Sequence, residues 1–289
     1  MRAPRFLAAL LLCLSPLVAR AAPYKLTTWN LDWLTLRPQG DTHLPDDVTV
    51  RAAADFARLR RYAAFLAPDI VAVQEVDGPA PLARLFPPAD YTLLFTRDHV
   101  VQRVGLAVRH GIALHQNPDL TALDVYPPEA KYPLRSGLDA TLVFPGGATL
   151  RVLAVHLKTG CWDRPLTYRS RACRTLRAQL RVIGPWVAAR EAEHVAFAVL
   201  GDFNRDMDGR DAFLPALDQI APLRDTTQGY ASPCWGGDRF IDHILLGGPA
   251  RSWLVPHSLR VMVYKETSPA LKDALSDHCP VSVRIDPKP

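Results

Sequence analysis

The chain has 289 residues, 48% hydrophobic and 22% charged, a globular composition sufficient for one large core or two small ones. Its 34 Lys and Arg against 29 Asp and Glu give a formal net charge of +5. It has no sustained repeat or long low-complexity tract, which excludes fibrous and solenoid architectures.

Residues 1–21 read as a secretory signal peptide. Arg2 and Arg5 precede an apolar run over 6–18, interrupted by Ser15 and Pro16, and Ala19-Arg20-Ala21 offers small residues at a cleavage spacing. The run is shorter than the ~20 residues of a membrane span, so stable membrane insertion is not expected. Residues 22–289 then form one domain of a secreted or periplasmic protein. Loss of Arg2, Arg5 and Arg20 lowers the formal charge from +5 to +2. Net charge therefore gives no argument for a polyanion partner, and only 164–181 has the look of a clustered basic face.

The mature chain opens with a strand over 24–29, followed by Asn30, and a polar, Pro-rich loop over 36–50. A helix is expected over 51–67, where Phe56, Leu59, Ala63 and Leu66 recur at helical spacing and Pro68 stops the run. A buried strand over 70–76 follows and carries Glu75 at its far end. An irregular stretch over 79–89 leads to strands over 91–95, 104–108, 138–144 and 149–157, the last two joined by the turn Pro145-Gly146-Gly147. A basic helix spans 168–182, and Gly184-Pro185 is expected to kink or break it before 186–193. The run Val195-Ala196-Phe197-Ala198-Val199-Leu200 reads as a strand buried on both faces. Gly201 ends the run, and Asp202 and Asn204 then point to one side at a spacing of two. A short helix over 210–220 and strands over 240–246, 259–264 and 281–285 complete the chain. Alternating strands and helices with hairpins interspersed suit mixed sheets packed face to face with helices outside.

Four cysteines outside the leader, Cys161, Cys173, Cys234 and Cys279, allow three pairings. Export favours bridges over free thiols. Cys161 with Cys173 is the local candidate, clipping a loop to the helix that follows, and Cys234 with Cys279 would then be the second.

Asn30, Glu75, His156, Asp202, Asn204, Asp242, Asp277 and His278 each end or punctuate an apolar run. Carboxylates and amides without cysteine are hard ligands that suit Mg²⁺, Mn²⁺ or Ca²⁺. Two histidines beside them suit proton transfer near neutral pH. Those are the parts for metal-assisted attack on phosphorus. His243 adjoins Asp242 on a strand, so it points the other way and reads as structural. Lys158 shares a face with His156, and Trp29 and Trp33 read as core.

With these residues in place, the sequence resembles the endonuclease/exonuclease/phosphatase superfamily, also called deoxyribonuclease I-like, as an exported member of bacterial type. The resemblance rests on Thr28-Trp29-Asn30, Val73-Gln74-Glu75-Val76, Ala154-Val155-His156-Leu157-Lys158, Gly201-Asp202-Phe203-Asn204, Ile241-Asp242-His243-Ile244 and Ser276-Asp277-His278-Cys279-Pro280-Val281, in the family's order. It implies a four-layer α/β sandwich of two packed mixed β-sheets flanked by helices. It also implies a monomeric, Mg²⁺-, Mn²⁺- or Ca²⁺-dependent phosphodiester hydrolase, with nucleic acid as the first choice of substrate.

The alternatives are a sphingomyelinase-like lipid phosphodiesterase, a phosphomonoesterase, and a binding module that kept the fold and lost the chemistry. By resemblance, Asn30 and Glu75 form the principal metal site, with Asp277 close to it. Asp202 and Asn204 orient the nucleophile and phosphoryl oxygens or hold a second metal. His278 is the base, held by Asp242. His156 donates to a phosphoryl oxygen or helps the leaving group, and Arg135 contacts phosphate. One departure stands out: Gln102 occupies a position where DNA-cutting members often have an acid or tyrosine, and it cannot be a carboxylate partner for His156.

Overall fold

A computed structural model describes residues 22–209, 211–237 and 239–288. The expected leader over 1–21 lies outside the described residues. The strands form two six-stranded sheets. The first contains β1 (Tyr24–Leu34), β2 (Ile70–Val76), β3 (Tyr91–Phe95), β4 (Arg103–Arg109), β11 (Arg260–Val261) and β12 (Val281–Ile285), in the order β11-β12-β1-β2-β4-β3. The second contains β5 (Ala113–Gln116), β6 (Leu138–Val143), β7 (Thr149–His156), β8 (Phe197–Asp202), β9 (Leu223–Asp225) and β10 (Asp242–Gly247), in the order β5-β6-β7-β8-β10-β9. Each sheet has one parallel pair near its middle, β1 with β2 and β7 with β8, among otherwise antiparallel neighbours.

The period-2 alternation of strands sorts side chains into three apolar layers. Ala198 and Leu200 of β8 face the other sheet, as do Val152 and Ala154 of β7 and Leu26, Ile70 and Leu106 of the first sheet. Phe197 and Val199 point outward, with Leu153 and Val155, onto Leu176, Ile183 and Val187 of helix α3 (Arg171–Ala192) and Phe213 and Leu217 of α4 (Phe213–Asp218). Behind the first sheet, Trp29, Val71 and Val73 meet Phe56, Leu59, Ala63 and Leu66 of α1 (Ala53–Leu66), Leu82 of α2 (Pro79–Leu82) and Leu275 of α5 (Pro269–Leu275). The result is the expected sandwich of two packed mixed sheets flanked by helices.

Several expectations are corrected. Helix α3 runs unbroken through Pro185. An interior proline costs about 3 kcal/mol. Burial of Ile183, Trp186 and Val187 against the sheet, and a 2.8 Å bond from Trp186 Nε1 to Asp139 Oδ2, offset that cost. Residues 79–82 form a helical turn inside the stretch expected to be irregular, the 259–264 strand shrinks to Arg260–Val261, and Trp33 is only half-buried. Both cysteine pairs are bridged, Cys161–Cys173 with Cα atoms 5.0 Å apart and Cys234–Cys279 with 5.7 Å. Among the described residues no helix is long and apolar enough to cross a membrane.

Candidate active site

Residues toward the C-terminal ends of the two parallel pairs form the heart of a cleft: Asn30 from β1, Glu75 from β2, and His156 and Asp202, the last residues of β7 and β8. β8 reaches this position because Gly201 adopts φ +146°; a Cβ there would lie 1.9 Å from Val155 O. Register then places Asp202 opposite both His156 and Asp242.

The backbone is bent where it presents these groups. Asp32, Trp33, Glu75 and Asn204 all have positive φ, between 42° and 60°. Register shifts between Asn30 and Leu34, and between Val73 and Val76, mark irregularities of the kind that re-aim side chains. Local strain of this sort concentrates at functional sites.

Asn30 bridges the two halves. Its Nδ2 donates to Glu75 Oε1 at 3.1 Å and to Asp202 Oδ2 at 3.0 Å, while its Oδ1 accepts the Asp32 N–H at 2.9 Å. Asn204 donates to Asp202 twice, from its backbone N–H at 2.7 Å and from Nδ2 at 2.9 Å. His156 Nε2 lies 3.4 Å from Glu75 and 3.5 Å from Asp202. Burial holds His156 well below its ordinary pKa, reinforced by the positive charges of Arg135 and His278, which favours the neutral imidazole.

His278 behaves oppositely. Burial alone would lower its pKa, but the Asp242 and Asp202 carboxylates outweigh burial and raise it well above the ordinary value. Its Nδ1 sits 2.7 Å from Asp242 Oδ2, and its Nε2 faces Asp202 and Asp277, each at 3.8 Å. The turn carrying it is braced: Ser276 Oγ donates to Asn30 O at 2.8 Å and accepts the His278 N–H at 3.0 Å, Tyr264 Oη donates to His278 O at 3.0 Å, and Cys279 is bridged to Cys234.

The structure brings Asn30, Glu75, His156, Asp202, Asn204, Asp242 and His278 into one cluster. Asp277 lies at its rim with a side chain 53% exposed. The Arg135 guanidinium feels burial first, which lowers its pKa, and then the opposing pull of Glu75 and Asp202; its Nε is buried without a hydrogen-bond partner. His243 points away, bonded to Asp225, Thr227 and Arg205 O. Gln102 donates to Glu75 Oε2 instead of serving His156.

The sequence reading missed Asp32, although its spacing of two from Asn30 repeats the Asp202–Asn204 signal. Burial, then Asp277 and Glu75, push its carboxyl up to about 7. Asp202 is likewise raised to about 7 by burial; Asp242 adds to the rise, and His278 opposes it. Arg51 was also missed. It is buried and donates to the carbonyls of Leu31, Asp32, Ala274 and Leu275 at 2.6 to 3.0 Å, fixing the β1 irregularity against the end of α5.

This donor set fits a hard divalent cation. Glu75, His156 and Asp202, and separately Asp202, Asp242 and His278, each offer ligand atoms within 4.8 Å of one another. Burial first, and then neighbouring carboxylates, raise the pKa of Asp32 and Asp202, and Asp242 Oδ1 is buried without a partner.

A model of the Endonuclease/Exonuclease/phosphatase family matches residues 27–278. Among curated proteins no sequence matches the chain. Among solved structures, the human Nocturnin catalytic domain with bound sulfate anion is 16% identical, covering 92% of this chain and 95% of its own, with a TM-score of 0.62. TDP2 from D. rerio, complexed with single strand DNA product, is 20% identical over 91% and 99%, with a TM-score of 0.62. The 3' phosphatase NExo from Neisseria, bound to product DNA hairpin, is 19% identical over 91% and 99%, with a TM-score of 0.58. At these identities the likeness is one of fold.

Proposed function

The chain belongs to the endonuclease/exonuclease/phosphatase family, and from that premise we propose that it is an exported, divalent-metal-dependent hydrolase of phosphodiester bonds, acting on nucleic acid. The carrying observation is His278. Its Nδ1 is held by Asp242 at 2.7 Å, and its Nε2 is turned toward the carboxylate cluster.

In this reading Glu75, with Asn30, Asp32 and Asp277 around it, would hold the cation. The cation would neutralise the charge that develops on the phosphoryl oxygens. With the cation's charge disfavouring the imidazolium, neutral His278 would take the proton of the attacking water at Nε2, and Asp242 would stabilise the imidazolium that results. Asp202 and Asn204 orient the water and the phosphoryl group. Neutral His156 donates from Nε2 to a phosphoryl oxygen, and Arg135 supplies positive charge behind it. The DNA products held by the TDP2 and NExo structures support nucleic acid as the substrate. The two disulfides, together with the expected leader over 1–21, support a secreted or periplasmic location.

The test is hydrolysis of bis-(p-nitrophenyl) phosphate by residues 22–289, with chelator controls. Turnover that needs Mg²⁺, Mn²⁺ or Ca²⁺ is the expected result. No turnover with any of the three would make the chain a binding module.

A further inference from the structure

The chemistry above makes no use of Trp162, yet the fold spends several bonds on its position. Its side chain is 54% exposed, and among the described residues its indole meets no other ring and no cation. The backbone beneath it is pinned. Cys161 is fully buried and bridged to Cys173. The Arg205 guanidinium donates to the carbonyls of Cys161 and Arg164, and the Asp206 N–H donates to the Trp162 carbonyl at 3.0 Å. Arg205 is itself fixed by Asp211 at 2.7 Å and, through its own carbonyl, by His243 Nε2 at 2.9 Å.

Arg205 and Asp206 directly follow Asp202-Phe203-Asn204. The turn that presents the site carboxylate therefore also fixes the backbone that carries the indole. Trp162 lines the same cleft, of about 790 Å³, as Asp242 and His278. The segment that contains it, 158–181, carries seven basic side chains against one acidic residue, Asp163.

An unpartnered indole on a pinned backbone, beside a phosphate-directed site and a basic segment, has the parts of a stacking platform with an electrostatic track. We propose that Trp162 stacks one unpaired nucleobase next to the scissile phosphate, so that the substrate is single-stranded nucleic acid. This rests on the phosphodiesterase reading for its substrate but not for its binding step. A base inside a duplex has both faces covered by its neighbours and could not use the platform. A lipid surface fits less well. The rings of Tyr168 and Tyr126 are each covered on one face by a guanidinium, Arg164 and Arg171, at 4.8 Å, which places charge where a lipid-facing surface would carry bare apolar rings.

The experiment measures binding of fluorescein-labelled oligo(dA), and of an abasic chain of the same length, by anisotropy in chelator. Wild type should prefer oligo(dA) about tenfold. Trp162→Ala should lose that preference by weakening oligo(dA) binding alone, and Trp162→Phe should keep most of it. Unchanged abasic binding reports an intact fold. Equal binding of both chains by wild type, or a preference that survives Trp162→Ala, overturns the inference. So does a Trp162→Ala variant that loses sphingomyelin vesicles while holding oligo(dA). Turnover of the same oligonucleotides with Mg²⁺ is read separately. Base-dependent binding without turnover would remove the hydrolase reading and leave the platform standing.

Discussion

Two histidine–carboxylate pairs meet at β10: its Asp242 holds His278 from the turn before β12, and its His243 meets Asp225 of β9. His278 meets Asp242 at 2.7 Å, and His243 meets Asp225 at 3.1 Å. Both imidazoles have pKa values raised by their carboxylates against the opposing effect of burial. They differ in the second ring nitrogen. His243 Nε2 is closed off by the Arg205 carbonyl at 2.9 Å, whereas His278 Nε2 opens onto the carboxylate cluster. Pairing with an acid thus does not mark a base. A nitrogen left facing the cleft does, and adjacent positions on one strand deliver one histidine to chemistry and the other to the fold.

Removing each ring is the strongest way to break this contrast. His278→Ala should lower turnover by ~10²–10⁴-fold, the usual worth of a general base, with no rescue by added metal. His243→Ala should leave turnover within a few fold and lower Tm instead. Loss of turnover in the second variant but not the first would reverse the assignment. Glu75→Gln, which removes a charged ligand, should shift the midpoint for metal activation to higher concentration as well as lowering the maximum rate.

Opening Cys234–Cys279 touches only the His278 side. Loss of a bridge costs on the order of 2–4 kcal/mol. Because Cys279 adjoins His278, mild reduction should depress activity before circular dichroism reports unfolding. NMR titration sharpens the contrast further. Added Mg²⁺ should lower the pKa of His278, because a nearby dication disfavours the imidazolium, while His243 should move little.

The smallest effect is on stability against pH. The folded pKa of His243 is raised, so its ion pair stabilises the protein fully below the unfolded value of about 6.5 and fades as pH rises through the folded value. The Tm gap between wild type and His243→Ala should therefore narrow as pH is raised through and above neutrality. A gap that widened would mean that His243 is buried neutral.

Much of the fold and most of the cluster could be read in the sequence, because both depend on local pattern. Val195 to Leu200 announces a buried strand, Asp202 and Asn204 share a side by alternation, and the same alternation turned His243 away from Asp242. What escaped depends on distant partners. Arg51 opens a helix in sequence, but its guanidinium gathers carbonyls from β1 and α5. Asp225 ends a three-residue strand too short to signal itself. Pro185, expected to kink or break the helix, does not break it, because the packing of Trp186 and Val187 outweighs a local penalty. Asp32 was within reach, since the spacing that exposed Asn204 also links it to Asn30, but an apolar run on either side hid it.

The pairing of β12 with β1, Tyr24 opposite Ile285, has a consequence for synthesis. The strand made first waits for the strand made last, and His278 arrives only just ahead of that partner. Until β12 has emerged, β1 keeps an open edge and the cluster has its carboxylates but no base. Vectorial synthesis therefore completes this interior pairing of the first sheet and the proposed proton acceptor in one event. A chain terminated early, before residue 278, could bury most of its core and still carry out no base-assisted hydrolysis.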